Sequence, residues 1–374
     1  RHFAKGISNL TQMSGTERKH IARVLLACLV GKIEARGITA CRSLLHFIHL
    51  AQYPSHDQIT LSYMITELKT WHDNRDYFIS EGAREHFNIP KFHSLLHYVD
   101  SIQWIGTTDN CNTEAFERLH IDFAKEGWRA SNKRDVFPQM VTFISRQEKP
   151  DSALLLNLAK NPTEPRKTLA SVSLLHGAPG FLSALKLFLN SLFPFKTLEI
   201  WHNLGLIPPK ILEEPEKALV KASPLTIHNK SSRFDTVIVL ENDEAESTAV
   251  RGCRAARLRV IFRLPQMIKD PDSGFPVKAP AHWPKEHLAY VTWYSRFKSS
   301  PDKATGMYKV EPSIGSNGVP LGAVIPLSNI RQNCMLVPSK AVWDNHWDSD
   351  NILDECSSFF VNNLQSKYTY QTIY

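Results

Sequence analysis

Several features that would place a sequence quickly are scarce or absent in these 374 residues. The six cysteines (Cys28, Cys41, Cys111, Cys253, Cys334 and Cys356) lie far apart with no C-x-x-C pair. That spacing excludes a zinc finger or a dense disulfide framework, and reduced thiols in a cytosolic or nuclear compartment are the simplest expectation. No run of about 18 uncharged apolar residues occurs, so no membrane span is expected. The chain opens on Arg1 without the apolar core of a signal peptide, and an N-terminal portion is expected to be missing. Neither G-x-G-x-x-G nor G-x-x-x-x-G-K-[ST] is present, which removes the usual phosphate-binding loops. A hydrolase elbow is absent too, because Leu175, His176 and Gly177 include no Ser between flanking glycines. There is no internal repeat and no long low-complexity tract.

What is present is a globular composition. Hydrophobic residues make up 43% of the chain, enough for real cores in about two to three domains. The net charge of +7 is spread along the chain, which permits contact with a polyanion without specifying it. Residues 1–150 read as nearly all helix. Ser14 and Glu17 have capping-box spacing before ARVLLACLVGKI, residues 40–51 repeat the apolar pattern, and Ser55 with Gln58 offers a second box before a helix through about Trp71. Pro90 starts the next helix, KFHSLLHYVDSIQWI, which Gly106 closes, and a further helix spans about Val136 to Glu148. Residues 151–230 read as a helical or irregular connector, with helices expected at 152–160 and 181–193. From Arg233 the period changes: FDTVIVL, RLRVIFRL, HLAYVTWY, GMYKV and AVIPL are short β-branched or aromatic runs bounded by turn residues. Residues 231–374 therefore read as a β-rich small barrel or sandwich, with a loop at Asp243–Gly252 and a partly helical tail around Ile352–Leu364. The expected class is α+β, a mostly α-helical first half followed by a β-rich domain.

The stretch that organises the first half is GTTDNCNTEAFERLHIDFAKEGWRASNKR, residues 106–134. Asp109, Asn110, Asn112 and Thr113 suit a helix start, and Gly127 a stop. Glu114, Glu117 and Arg118 share one side, while Phe116, Leu119, His120 and Phe123 provide a docking stripe. Acidic residues in a first turn are also favoured simply by the helix dipole. The basic positions Lys125, Arg129, Lys133 and Arg134 surround Trp128 and suit a phosphate backbone, or equally a solvated face. His93 and His97, four apart, are a possible ligand pair, but Ser94 stands where a zinc-protease helix has Glu, and packing is the alternative. Tyr290, Trp293, Tyr294, Tyr308, Trp343 and Trp347 suit either a binding cage or the packed faces of a small β-domain.

Residues 84–99 (REHFNIPKFHSLLHYV), the stretch 106–140 and the following SRQEKP resemble the late catalytic region of Plavaka-type transposases, of the Kyakuja-Dileera-Zisupton group of DNA transposons found in fungi. RHFAKGISNLTQMSGTE, LAQYPSHDQITL, SSRFDTVIVL, GCRAARLRVIFRLP, HLAYVTWYSRF, MYKV and AVIPLSNI extend the resemblance over nearly the whole chain. It implies the C-terminal fragment of a cut-and-paste transposase, in which a ribonuclease-H-like core uses three carboxylates and two Mg²⁺ or Mn²⁺ ions to cleave and join DNA at transposon ends. Residues 1–105 would be a helical insertion. The resemblance implies Glu117 as the last metal-binding acid with Glu114 second, DNA contacts by Arg118, Lys125, Arg129, Lys133 and Arg134, a nuclear location and a homo-oligomer in the complete enzyme. No strand-borne Asp pair precedes residue 113, so the chain as given is expected to be catalytically incomplete. A non-catalytic DNA- or chromatin-binding protein derived from a transposon relic is the alternative.

Overall fold

The computed structural model describes residues 13–111, 124–147, 155–190, 196–207, 218–225, 232–242, 250–269, 275–339, 344 and 346–373. The protein is mixed α and β, with helices in the first half and antiparallel sheets later. Its contacts define two compact units, one from residues 34–153 and 209–215, the other from 1–33, 154–208 and 216–374.

In the helical unit, α2 (Ala35–Leu50) and α3 (Gln58–Asn74) pack together. Ile38, Leu45, Phe47 and Leu50 from one and Leu61, Met64, Leu68 and Trp71 from the other are buried, which is the helical period seen in the sequence. The cap of α3 differs from expectation. Asp57 accepts from the Thr60 N–H at 2.7 Å and the Thr60 hydroxyl accepts from the Asp57 N–H at 2.9 Å, so the box begins two residues after Ser55. Trp71 then gathers Phe87 (5.6 Å, edge-on) and Phe92 (5.4 Å, stacked), fixing the chain that follows. That chain, expected as one helix from Pro90, is divided into α5 (Pro90–Ser94), a 3₁₀ turn (Leu95–His97) and α6 (Tyr98–Ile105). Gly106, at φ 89°, ends it as expected. The next turn, Thr108–Cys111, is tied down by the Thr108 hydroxyl donating to the Ala51 carbonyl at 2.7 Å.

Later in the chain, α7 (Gly127–Ala130) and α8 (Val136–Gln147) pack on each other. Gly127 does not stop a helix. It opens α7, directly after a π turn at residues 124–126, and a Cβ there would stand 3.3 Å from Met140 Cγ, so its smallness serves close packing on α8.

In the β-rich unit, α1 (Gly15–Leu29) carries the expected capping box, with the Ser14 hydroxyl accepting from the Glu17 N–H at 3.2 Å and Glu17 accepting from the Ser14 N–H at 2.9 Å. The centre is β8 (Cys253–Arg263), in which nine of eleven residues are buried. On one side it pairs with β11 (Leu288–Arg296). On the other it pairs with β7 (Thr236–Leu240) along its first half and β3 (Thr197–Trp201) along its second. Outer strands β13 (Gly322–Pro326), β14 (Ile330–Cys334) and β2 (Glu164–Thr168) complete a seven-stranded antiparallel sheet. Two helices, α9 (Leu169–Leu175) and α10 (Phe181–Leu189), cover one face through Val172, Phe181 and Leu185 packed with Val260, Phe262 and Tyr290. Leu204, Val220, Val237, Leu258, Ile261 and Val291 form the core on another. Because both faces are covered, burial along β8 does not alternate, even though Arg254, Arg257, Arg259 and Arg263 interrupt its apolar residues.

Residues 151–230 are not a mere connector. The stretch 152–160, expected as helix, holds β1 (Leu155–Asn157), which pairs with β4 (Asn203–Ile207) and through it with β5 (Ala218–Ser223). Cross-strand burial of Leu204 and Leu206 outweighs the local helix preference of the leucine run. The tail also departs in part: Ile352–Glu355 is helical, but Phe359–Val361 is a strand between Tyr308–Val310 and Leu336–Pro338.

Tyr290 is fully buried, its hydroxyl without a partner, in a slot that two glycines leave open. A Cβ on Gly322 would meet the Tyr290 ring and the Val291 carbonyl oxygen, each at 2.7 Å. Gly322→Ala is therefore expected to cost about 1–3 kcal/mol by overpacking, whereas Tyr290→Phe, which removes an unpaired buried hydroxyl, should leave stability unchanged or raise it by up to about 1 kcal/mol. Urea midpoints for the two variants check both signs.

Candidate functional site

Glu114, Glu117 and Arg118 lie outside the described residues. The remaining sequence-predicted positions form an exposed ridge. Lys125, Trp128 and Arg129 line one open depression with Ala124 and Met140, and Trp128 is 49% exposed. Lys133 and Arg134 follow on a tight loop and are also exposed. Gln139 organises that loop: its side-chain oxygen accepts from the Asn132 N–H at 3.0 Å, and its amide donates to Asn132 Oδ1 at 2.8 Å and to the Arg134 carbonyl at 2.6 Å. Lys133 (φ 63°) and Asp135 (φ 45°) take left-handed backbone, a costly conformation for such residues that this network holds in place.

His93 and His97 are exposed with their Nε2 atoms 3.4 Å apart, and among the described residues no third ligand converges on them. Among the described residues the aromatics form no cage: Tyr290, Tyr294 and Tyr308 are buried in cores, Trp347 packs against one core, and Trp293 packs against another while Arg254 sits 5.0 Å over its ring. Trp343 lies outside the described residues. Cys28, Cys41, Cys253, Cys334 and Cys356 are free thiols, and burial pushes Cys41 up to about 11 and Cys334 up to about 12, the reverse of an activated nucleophile.

A different constellation was not visible in the sequence. Among the described residues, one group of three potential metal ligands converges, Glu164, His176 and His202, with donor atoms all within 4.8 Å of one another. Each is placed by a local irregularity. Strand β2 has a register shift between Glu164 and Lys167, with Arg166 at φ 55°, so residues three apart share a side and the Lys167 ammonium donates to Glu164 Oε1 at 2.9 Å. His176 is the cap of α9, which ends in a Schellman turn: the Gly177 N–H donates to the Leu174 carbonyl and the Ala178 N–H to the Ser173 carbonyl, with Gly177 at φ 55°. His202 stands at the corner where the chain leaves β3 of the large sheet for β4 of the small one. Its N–H donates to the Thr163 hydroxyl and its carbonyl accepts from the Ala222 N–H.

The fourth contributor is β8. Between Leu258 and Val260 its register against β11 slips by one, which leaves Arg259 without a cross-strand partner in that ladder. The Arg259 carbonyl instead accepts from His176 Nδ1 at 2.8 Å. That acceptor puts the proton on Nδ1, so Nε2 carries a lone pair, and it has no partner although His176 is completely buried. His202 Nε2 lies 3.3 Å from Glu164 Oε2, within ion-pair reach but off the line of a hydrogen bond. Burial holds His176 down to about 4, with the Arg259 contact opposing only part of the effect, and burial also lowers His202 against the pull of Glu164. Burial alone would raise the Glu164 carboxyl, but Lys167 and then His202 keep it below its usual range. At neutral pH the group is thus two neutral imidazoles and one carboxylate. The only sequence signal was the Leu-His-Gly helix ending, since the three residues share no motif spacing.

Against known proteins, the chain matches no family model, no curated protein and no solved structure. Among the described residues no helix is long and apolar enough to cross a membrane.

The buried imidazoles predict a pH dependence. The unfolded chain takes up protons near pH 6.5, which folded His176 refuses until about pH 4, so stability is full above the unfolded value and falls as pH drops between the two. The loss attributable to His176 is about 3 kcal/mol, and His176→Gln should flatten the profile of urea midpoints measured in chelator between pH 7 and pH 4.5.

Proposed function

We propose that the chain is the C-terminal part of a Plavaka-like transposase and that its helical unit contacts transposon-end DNA. The observation that carries this reading is the ridge of Lys125, Arg129, Lys133 and Arg134 around exposed Trp128, its loop held by Gln139. Cations held on a short helix and a fixed loop meet a phosphate backbone without having to be ordered on binding. In this reading Arg118 adds a phosphate contact, the location is nuclear, the complete enzyme is a homo-oligomer, and a ribonuclease-H-like core is completed by the helix that bears Glu117 and Glu114. The Mg²⁺ or Mn²⁺ pair would be held by Glu117 together with acids from upstream of this chain. The described residues supply no all-oxygen site for such ions, since the one cluster found has a two-nitrogen, one-oxygen donor set.

The alternative of a non-catalytic DNA-binding protein uses the same ridge and differs only in chemistry. In either case, anisotropy titrations with labelled duplex should show affinity falling steeply with salt, and Lys125→Ala or Arg129→Ala should each reduce the log–log salt slope by about 1. Gln139→Ala removes no charge yet should weaken binding by freeing the loop. Binding that is indifferent to salt and to these variants would sink the DNA reading. Glu117→Gln in an upstream-extended chain should abolish Mg²⁺-dependent cleavage while sparing binding. Absence of cleavage in the extended parent itself would favour the non-catalytic alternative.

A further inference from the structure

We propose that Glu164, His176 and His202 form a binding site for a divalent transition-metal ion of the zinc class, with two imidazole Nε2 atoms and one carboxylate oxygen as ligands. The site lies in the β-rich unit and is independent of the DNA-contacting ridge and of any Mg²⁺ or Mn²⁺ chemistry.

Geometry is the first support. Zinc binds imidazole nitrogen and carboxylate oxygen at about 2.0–2.2 Å, which gives tetrahedral ligand–ligand edges of about 3.3 Å. The His202 Nε2 to Glu164 Oε2 separation is already 3.3 Å, and no pair in the group exceeds 4.8 Å. A small inward movement of His176 closes the set.

The second support is polar satisfaction. His176 is fully buried and directs a lone pair at this group with nothing to receive it, while His202 Nε2 and Glu164 Oε2 also lack an aligned hydrogen bond. Unpaired buried polar atoms are costly, and a cation accepts all three pairs at once. The outer shell is also in place. His176 donates its other ring N–H to the Arg259 carbonyl, the arrangement that fixes the tautomer and orientation of metal-bound imidazoles. Two nitrogens and one oxygen suit Zn²⁺, Co²⁺ or Fe²⁺ and are a poor set for Mg²⁺ or Ca²⁺. Three protein ligands leave one position for water, reached past Glu164, the one partly exposed member.

Lys167 opposes the ion. Its ammonium competes for Glu164 and adds positive charge beside the site, so Lys167 sets the affinity below that of an all-cysteine site and its removal should tighten binding. A site that merely holds a structural water would show no such gain.

The test uses the full chain carrying His93→Ala and His97→Ala, which removes the exposed histidine pair as a competing surface site. After chelator treatment the protein is equilibrated with Co²⁺ or Zn²⁺ and assayed for bound metal, for the visible cobalt spectrum and for Tm. The expected result is one equivalent bound at micromolar free metal, a cobalt spectrum free of the intense near-ultraviolet band of thiolate ligation, and a raised Tm. Glu164→Gln and His202→Gln should each weaken binding by at least about 10-fold, and Lys167→Met should strengthen it. No bound ion, a thiolate spectrum, or stoichiometric binding unmoved by Glu164→Gln and Lys167→Met would overturn the proposal. Glu164 and Lys167 are partly exposed, so those two variants keep the test decisive if a histidine variant fails to fold.

Discussion

Backbone pairing along a strand with no wet face is the constraint on which the β-rich unit depends. Once β8 is covered on both sides, every N–H and C=O it carries must find a partner, since an orphaned backbone group in a core costs as much as a lost hydrogen bond. β8 meets the requirement with three partner strands, and where the ladders to β7 and β3 give way to one another its register against β11 slips. The carbonyl that this slip releases, that of Arg259, is taken by a histidine from a helix cap. The buried cluster is thus a by-product of how the central strand is satisfied.

The same residue shows how charge is managed inside the fold. Arg257 and Arg259 are both buried on β8, and both are answered by Asp354 from the short helix near the C-terminus while their guanidinium groups lie over Phe234. Burial and the neighbouring Arg257 lower Arg259 to about 10, still well above neutrality, so the positive charge persists. Removing Asp354 would leave two buried cations with one aromatic face between them, a far larger penalty than the net worth of the pair itself.

What was legible in the sequence follows from the range of the interactions involved. Ser14 and Glu17 announced their cap because both partners lie within one turn. The β-branched runs of β7, β8 and β11 announced strands because their composition suits a buried pleat. Ser55 and Asp57 both fit a cap by residue type, and only the backbone decides for Asp57. Residues 155–157 read locally as helix because their strand character comes from Leu206 and Ile207, about fifty positions away. Glu164, His176 and His202 were illegible as a group for the same reason. A bulge, a helix end and a sheet corner bring them together, and none of these has a spacing signature. The ridge of Lys125, Trp128, Arg129, Lys133 and Arg134 lay in plain sight as residue types, but the role of Gln139 in shaping its loop needed coordinates.

The interleaving of the two units has a kinetic consequence. The carbonyl of Arg23 in α1 accepts from Asn362 across 339 residues, and all of the helical unit is synthesised between them. On the ribosome α1 emerges long before its partner Asn362 is made, while α2 and α3 are complete within a short stretch and can collapse on each other at once. Order of docking therefore departs from order of synthesis within this stretch: α1 is made before α2 and α3, yet its contact with Asn362 can form only after both.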